Sequence, residues 1–242
     1  MIKKRYRSII VESVSEYVDE VCSLNLDEDV LFRGQRENWS LVPKIARLNF
    51  KKSNRESERD MLNDFIYRSS GMITRPPSQS DHWNWLSIAQ HHGMATRFLD
   101  WSTSSLGALW FATAEPRHAK CDAVVWVFTP DVTTDYVKEG KDSPFTRGRT
   151  LIYRPLHIAD RIRAQDGWFT CHKPVKNGKF IPLEELSRFA NKLKKIKIPH
   201  DYVPDIRGDL DRLGINRSTL FPDLDGIAKH SQWFHTVDFD ES

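Results

Sequence analysis

Apolar side chains recur along this chain with periods that mark out its elements. Val14, Tyr17, Val18 and Val21 fall at i, i+3, i+4 and i+7, predicting an amphipathic helix from Ser13 to Leu24 within an N-terminal segment, 1–27. Leu62, Phe65 and Ile66 mark the inward face of a second helix, Arg55 to Tyr67. The run AVVWVF, Ala123 to Phe128, is apolar on both faces and β-rich, as expected of a central strand covered on both sides. Val30 to Phe32 reads as a shorter strand of the same sheet that presents Arg33 and Gly34 at its end. Thr129 to Thr150 is a long polar excursion without periodicity, a candidate lid. A short helix, Leu156 to Gln165, leads through Asp166 and Gly167 into a strand, Trp168 to Cys171. Leu186, Phe189, Ala190 and Leu193 predict a helix from Leu183 to Lys195 ahead of a short strand, Ile196 to Ile198. A helix from Asp205 to Leu213 is stopped by Gly214. In Leu220 to Ala228, Phe221, Leu224 and Ile227 read as packing anchors, Asp223 and Asp225 can cap or bind, and 230–242 reads as a tail. The pattern adds up to an α+β fold, a mixed β-sheet covered by helices. No Pro/Gly/Ser-rich linker divides it, so 1–242 is expected to be a single domain.

The polar residues that break these periods concentrate in one stretch, Leu86 to Ala114. A helix rich in Trp85, Leu86, Ile88 and Ala89 runs through His91 and His92 to Gly93, where a left-handed C-terminus is expected. A second helix, carrying Leu106, Leu109, Trp110 and Thr113, is capped by Ser102, Thr103 or Ser104 and closed by Pro116. Between them, Met94 to Trp101 is a tight connector or short strand holding Arg97 and Asp100 among bulky apolar neighbours. Buried charges are paired or functional. Arg97 and Asp100 therefore form an ion pair with each other, or Arg97 binds an anionic ligand while Asp100 orients His91; both can hold together. Adjacent helical residues point about 100° apart, so one histidine is expected inside and the other exposed, and a metal site from the pair is not expected.

Composition narrows the choice of chemistry. With 39% hydrophobic residues and eight Trp, the chain can build a substantial core. The net charge is only +3, but basic residues cluster at Lys192 to Lys197, where a solvated face is the expected reading and nucleic-acid contact the minority one. Three widely spaced cysteines without a CxxC or signal peptide point to reduced thiols in the cytoplasm, and no apolar run reaches the length of a membrane span. P-loop, GxGxxG, HExxH and GxSxG motifs are missing, which removes the commonest ATPases, dehydrogenases, zinc proteases and serine hydrolases. An Arg at a strand end followed by Gly suits a phosphate or carboxylate clamp, with backbone carbonyls as the alternative partners of Arg33.

The segment QHHGMATRFLDWSTSSLGALWFA resembles the core signature of the FRG domain, a bacterial and phage family named for a Phe-Arg-Gly motif, present here as Phe32, Arg33 and Gly34. RIRAQDGWF, from Arg161, and LFPDLDGIA, from Leu220, resemble two further pieces, so the likeness runs over about residues 28 to 230. Ala95 and Ser102 stand where Pro and Thr are expected. The ordered motifs are also similar to NAD-binding sites of the ADP-ribosyltransferase superfamily. That resemblance implies an ADP-ribosyltransferase-like fold with Arg33, Gly34, Gln35, Thr96, Arg97, Ser102 and Thr103 as ligand-binding residues. His91, Asp100 and Gln165 are its catalytic candidates, Asp100 or Gln165 replacing a catalytic Glu that the sequence does not offer. Glu184 and Glu185 read instead as solvated first-turn acids. The implied function is an NAD-using transferase or NAD glycohydrolase acting in toxin or anti-phage defence. NAD is then a substrate, no metal is expected, and a protein or nucleic-acid target remains open, with no membrane partner. The site is expected in a polar cleft formed by the Phe32 to Gln35 strand end and the Gln90 to Ser104 connector. The alternatives are a nuclease or phosphodiesterase using His91 as acid/base and Arg97 on the phosphate, or a non-catalytic sensor of a nucleotide or phage protein in the same cleft.

Overall fold

The strand Ala123–Phe128 is buried at every residue, and its alternation explains why. Ala123, Val125 and Val127 enter the apolar core on one face of a sheet, and Val124, Trp126 and Phe128 enter a second core on the other. The computed structural model describes residues 6–25, 29–50, 54–114, 121–138, 141–145, 148–155, 167–175 and 179–236. Among these, seven strands form one open mixed sheet: β1 Arg7–Ile10, β2 Leu31–Gln35, β3 Phe98–Ser102, β4 Ala123–Phe128, β5 Leu151–Tyr153, β6 Gly167–Cys171 and β7 Leu193–Ile198. Their order is β1-β7-β4-β2-β3-β6-β5, with β1 and β7 parallel and every other pair antiparallel.

The described helices are α1 Val14–Cys22, α2 Asn54–Ser69, α3 His82–His91, α4 Ser105–Thr113, α5 Val203–Arg212, α6 Arg217–Leu220 and α7 Leu224–His235. Three of them, α1, α4 and α5, supply the core against β2, β4 and β7, whereas α2 and α3 cover β3, β5 and β6. Side-chain caps start α1 at Ser13, α3 at Asp81 and α4 at Ser104. Gly93 (φ +87°) and Gly214 (φ +78°) follow α3 and α5 in the left-handed conformation expected of them.

Pairing across the sheet is uneven. β2 matches β4 over five residue pairs and β3 matches β6 over five, yet β2 and β3 meet only at Phe32 and Ser102. The sheet is thus two halves joined at one point. Gly34 faces α4 so closely that a Cβ there would lie 1.9 Å from the Ala108 carbonyl oxygen and 2.7 Å from the Ala112 nitrogen. The residue is Gly because a helix backbone occupies the side-chain position, not a ligand.

Several expectations are corrected. Leu183–Glu185 and Ala190–Lys192 are separate 3-10 turns, and the predicted helix gives way to β7 from Leu193. Leu193 to Ile198 gain ladder partners on both sides, from β1 and β4, and this pairing outweighs the local helical spacing. β1 itself had no strong pattern, since only Ile9 of its four residues is even half-buried. The lysine run is internally partnered. Lys192 meets Asp135 at 2.6 Å, Lys197 meets Asp122 at 2.9 Å, Lys194 pairs with Glu20, and the buried Lys195 lies 4.4 Å from the Trp126 ring centre.

Leu224 is 83% exposed and Ile227 is half-exposed, so neither anchors the core. Gly226 takes the inward position against the Phe221 carbonyl, and Asp223 caps α7 through the Gly226 amide at 2.7 Å. α7 continues to His235, which makes the start of the expected tail helical. The described part of 129–150 is tied down by the buried Asp135 with Arg188 and Lys192, and by Trp83 Nε1 donating to the Asp142 carbonyl at 3.1 Å. The expected helix 156–165, including Gln165, and Pro116 lie outside the described residues. The three cysteines are unbridged. No described helix is long and apolar enough to cross a membrane.

Candidate functional site

A cleft of about 680 Å³ opens where β2 and β3 part, between α3 on one side and α4 with α6 on the other. Because Phe32 is the last residue of β2 paired to β3, the next one, Arg33, sits at the mouth of the gap. Its Nη1 donates to the Asp100 carbonyl at 2.8 Å and lies 3.6 Å from the Asp100 Oδ2. Burial lowers the Arg33 guanidinium from its ordinary value; Asp100 opposes that and Arg47 adds to it. The group keeps its charge, and 23% of its side-chain surface still meets the cleft. The Arg33 Nε is buried without a hydrogen-bond partner among the described residues.

Asp100 is held from its other side by Gln90. The Gln90 amide donates to Oδ1 at 2.7 Å, and its carbonyl oxygen accepts from the buried Thr96 hydroxyl. Thr96 Oγ1 in turn accepts from the Phe98 amide at 3.0 Å. A polar chain therefore runs from Thr96 through Gln90 and Asp100 to Arg33, fixing the only acid among the described residues that line the cleft. Gln35 lines the same space while its Oε1 accepts from Trp126 Nε1 at 3.1 Å.

Of the residues expected at a site, Arg33, Gly34, Gln35, His91, Asp100 and Ser102 line the cleft. Thr96 and Thr103 do not, although Thr96 acts on it through Gln90. Arg97 is elsewhere: only 3% exposed, it bonds Glu58 through Nε at 2.9 Å and through Nη2, donates to the Pro144 carbonyl, and packs 4.7 Å from the Phe145 ring centre. Burial acts to lower the pKa of Arg97, but the hydrogen bond and charge of Glu58 together outweigh it and hold the Arg97 guanidinium above its ordinary value. The Arg97–Asp100 pair is thus replaced by two others, Arg97–Glu58 and Arg33–Asp100: Arg97 precedes β3 and bonds a residue of α2, whereas Asp100 lies within β3 beside the strand that carries Arg33. Both His91 and His92 are exposed, their rings edge-to-face at 5.1 Å, so neither is inside. No group of three or more potential metal ligands occurs among the described residues.

Residues 28–121 match the family model of the FRG domain. The chain carries an FRG domain. No curated protein and no solved structure matches it. The matched range of the FRG domain includes β2, α3, β3 and α4, which supply most of the cleft, and leaves out the segments 161–169 and 220–228. Leu220 and Phe221 nevertheless line the FRG domain's cleft, brought there by the turn from α6 to α7.

Sequence reasoning missed Arg36, Trp39, Phe111 and Arg217, all of which line the cleft, and the buried His172 beside it. Gln90, expected at the edge of the cleft, lies about 100° from His91, on the side that meets β3, where its amide reaches Asp100. His172 is 1% exposed, with Nε2 at 3.0 Å from the Thr170 hydroxyl and Nδ1 unpartnered among the described residues. Burial first, and the nearby Arg33 second, push its pKa down to about 3, so it is neutral at ordinary pH.

Proposed function

We propose that the cleft of this FRG domain binds NAD and cleaves its nicotinamide–ribose bond, as an ADP-ribosyltransferase-like or NAD glycohydrolase-like effector of toxin or anti-phage type, working in the cytoplasm. One observation carries the reading: at the split of the sheet a charged Arg33 and a single carboxylate, Asp100, are held against each other facing one cleft. Arg36 and Arg217 add positive charge for a pyrophosphate, and the aromatic walls suit flat rings. An ADP-ribosyltransferase-like fold is part of the proposal.

In the reaction the bond from ribose C1′ to the pyridinium nitrogen breaks, and its electron pair leaves with nicotinamide as a neutral ring. Positive charge develops on the ribose, where the Asp100 carboxylate stabilises it. The oxygen of water, or of a target side chain, bonds to C1′ and releases its proton, for which His91 at the cleft edge is the acceptor. Arg33 holds the phosphates, and Gln90 keeps Asp100 in place.

The test is NAD consumption by the purified protein, with products identified by mass spectrometry, alongside Arg33→Ala and Asp100→Asn. Release of nicotinamide that both substitutions abolish, with unchanged circular dichroism, is the expected result. Absence of turnover with NAD still bound in an Arg33-dependent way would make the cleft a sensor. Absence of both would end the NAD reading.

A further inference from the structure

The wall of the cleft built by α4 and α6 has a chemistry of its own. Phe111 on α4 and Phe221 after α6 stand with ring centres 6.0 Å apart and planes at 88°, and both line the cleft. Phe111 is 39% exposed. The Arg217 guanidinium lies 5.1 Å from the Phe221 ring centre and lines the same wall. Gly107 keeps this face of α4 low: a Cβ there would already touch Leu220 at 3.7 Å and the Ser104 hydroxyl at 2.8 Å.

Resting on the NAD reading above, we propose that this corner is the purine subsite, so that the dinucleotide lies with its adenine at Phe111 and Phe221 and its nicotinamide riboside at Asp100. Two perpendicular rings form a right-angled corner. A flat base stacked on one of them meets the other edge-on, so both contacts take preferred aromatic geometries at once. Charge decides which of the two NAD rings goes there. The nicotinamide ring is a pyridinium cation, which Arg217 repels and Asp100 attracts. Adenine is neutral and electron-rich, and a guanidinium beside its stack is favourable. The same argument selects a purine nucleotide over a bare phosphate or sugar phosphate, neither of which would use the corner.

The experiment is calorimetric titration of 5′-AMP and of nicotinamide mononucleotide into the wild-type chain and into Phe111→Ala, Phe111→Leu, Arg217→Gln and Asp100→Asn. Loss of one base–aromatic stack is expected to weaken 5′-AMP about tenfold in both Phe111 variants, the leucine keeping apolar volume without the stack. Asp100→Asn is expected to weaken nicotinamide mononucleotide more than 5′-AMP. Unchanged 5′-AMP affinity in the Phe111 and Arg217 variants, with NAD binding still lost in Arg33→Ala, overturns the subsite and leaves the NAD reading standing. Failure of the wild-type chain to bind either mononucleotide or NAD overturns both.

Discussion

Nη1 of Arg33 donates to the main-chain carbonyl of Asp100 at 2.8 Å, across the line along which β2 and β3 have stopped pairing. That carbonyl has no ladder partner in β2, so the side chain closes what the backbone leaves open. One residue thereby spans the gap, satisfies a strand edge and lends its remaining donors to the cleft. Replacing Arg33 by Met is expected to lower stability by about 1–3 kcal/mol, the cost of leaving a charged-group hydrogen bond unmade. Urea denaturation measures it. No change in midpoint would mean that the strand edge is satisfied some other way.

Gly34→Ala should be far more damaging than its one methyl suggests. The new carbon would overlap the Ala108 carbonyl and the Ala112 amide, both backbone atoms that cannot swing aside. A loss of at least about 3 kcal/mol, or failure to fold, is expected. Gly71→Ala, with nothing within 4 Å of the added Cβ, is the control and should melt within a few degrees of wild type.

Glu58 and Arg97 test a different kind of bond, since both are almost fully buried. Removing either partner alone leaves an uncompensated charge inside and should cost about 3–5 kcal/mol. The double variant Glu58→Gln, Arg97→Met should lose clearly less than the sum of the two. A double-mutant cycle by denaturation measures this coupling, and additive losses would contradict it.

How far such pairs were legible in the sequence depended on separation. The fully apolar Ala123–Phe128 and the helix from Val14 were readable because each one's period matches the face it buries, a property of neighbours along the chain. Arg97 and Asp100 were visible as charges that had to be partnered, but their partners, Glu58 and Arg33, come from 39 and 67 residues away, beyond any local pattern. The lysines from Lys192 to Lys197 misled for the same reason. Their counter-charges Glu20, Asp122 and Asp135 sit on other elements, so the run read as solvated. Of the site, the polar residues of β2 and β3 could be proposed from sequence, whereas the α4–α6 wall could not, because it is assembled from segments about a hundred residues apart.

His172 gives a pH prediction. Its pKa is about 3 in the folded chain against 6.5 as the ordinary value, so the unfolded state binds a proton that the folded state refuses. Its share of stability is complete above pH 6.5 and is lost as pH falls toward 3, at about 1.4 kcal/mol per unit. The difference in unfolding free energy between wild type and His172→Asn should carry that slope from pH 6.5 downward and be flat above it. A flat difference throughout would show that this histidine titrates in the fold as it does in the unfolded chain.

Gln90→Leu should release Asp100 from one of its two restraints, at a cost in stability of about 1–3 kcal/mol because the buried Thr96 hydroxyl loses its acceptor. If Asp100 acts on the ribose, turnover of NAD should fall about tenfold or more while NAD affinity changes little, as expected for a positioning residue. Equal losses in affinity and turnover would place Gln90 among the groups that touch the ligand.

The three side chains of Phe32, Arg33 and Gly34 answer to three different neighbours: an apolar core, a strand edge beside a cleft, and the spine of a helix. Two of the three letters of the Phe-Arg-Gly signature are therefore required by assembly alone, and a chain that had lost all catalysis would still need them in order to fold this way. In this chain the triplet belongs first to the architecture. Only its middle letter, and the carboxylate facing it, can report on chemistry.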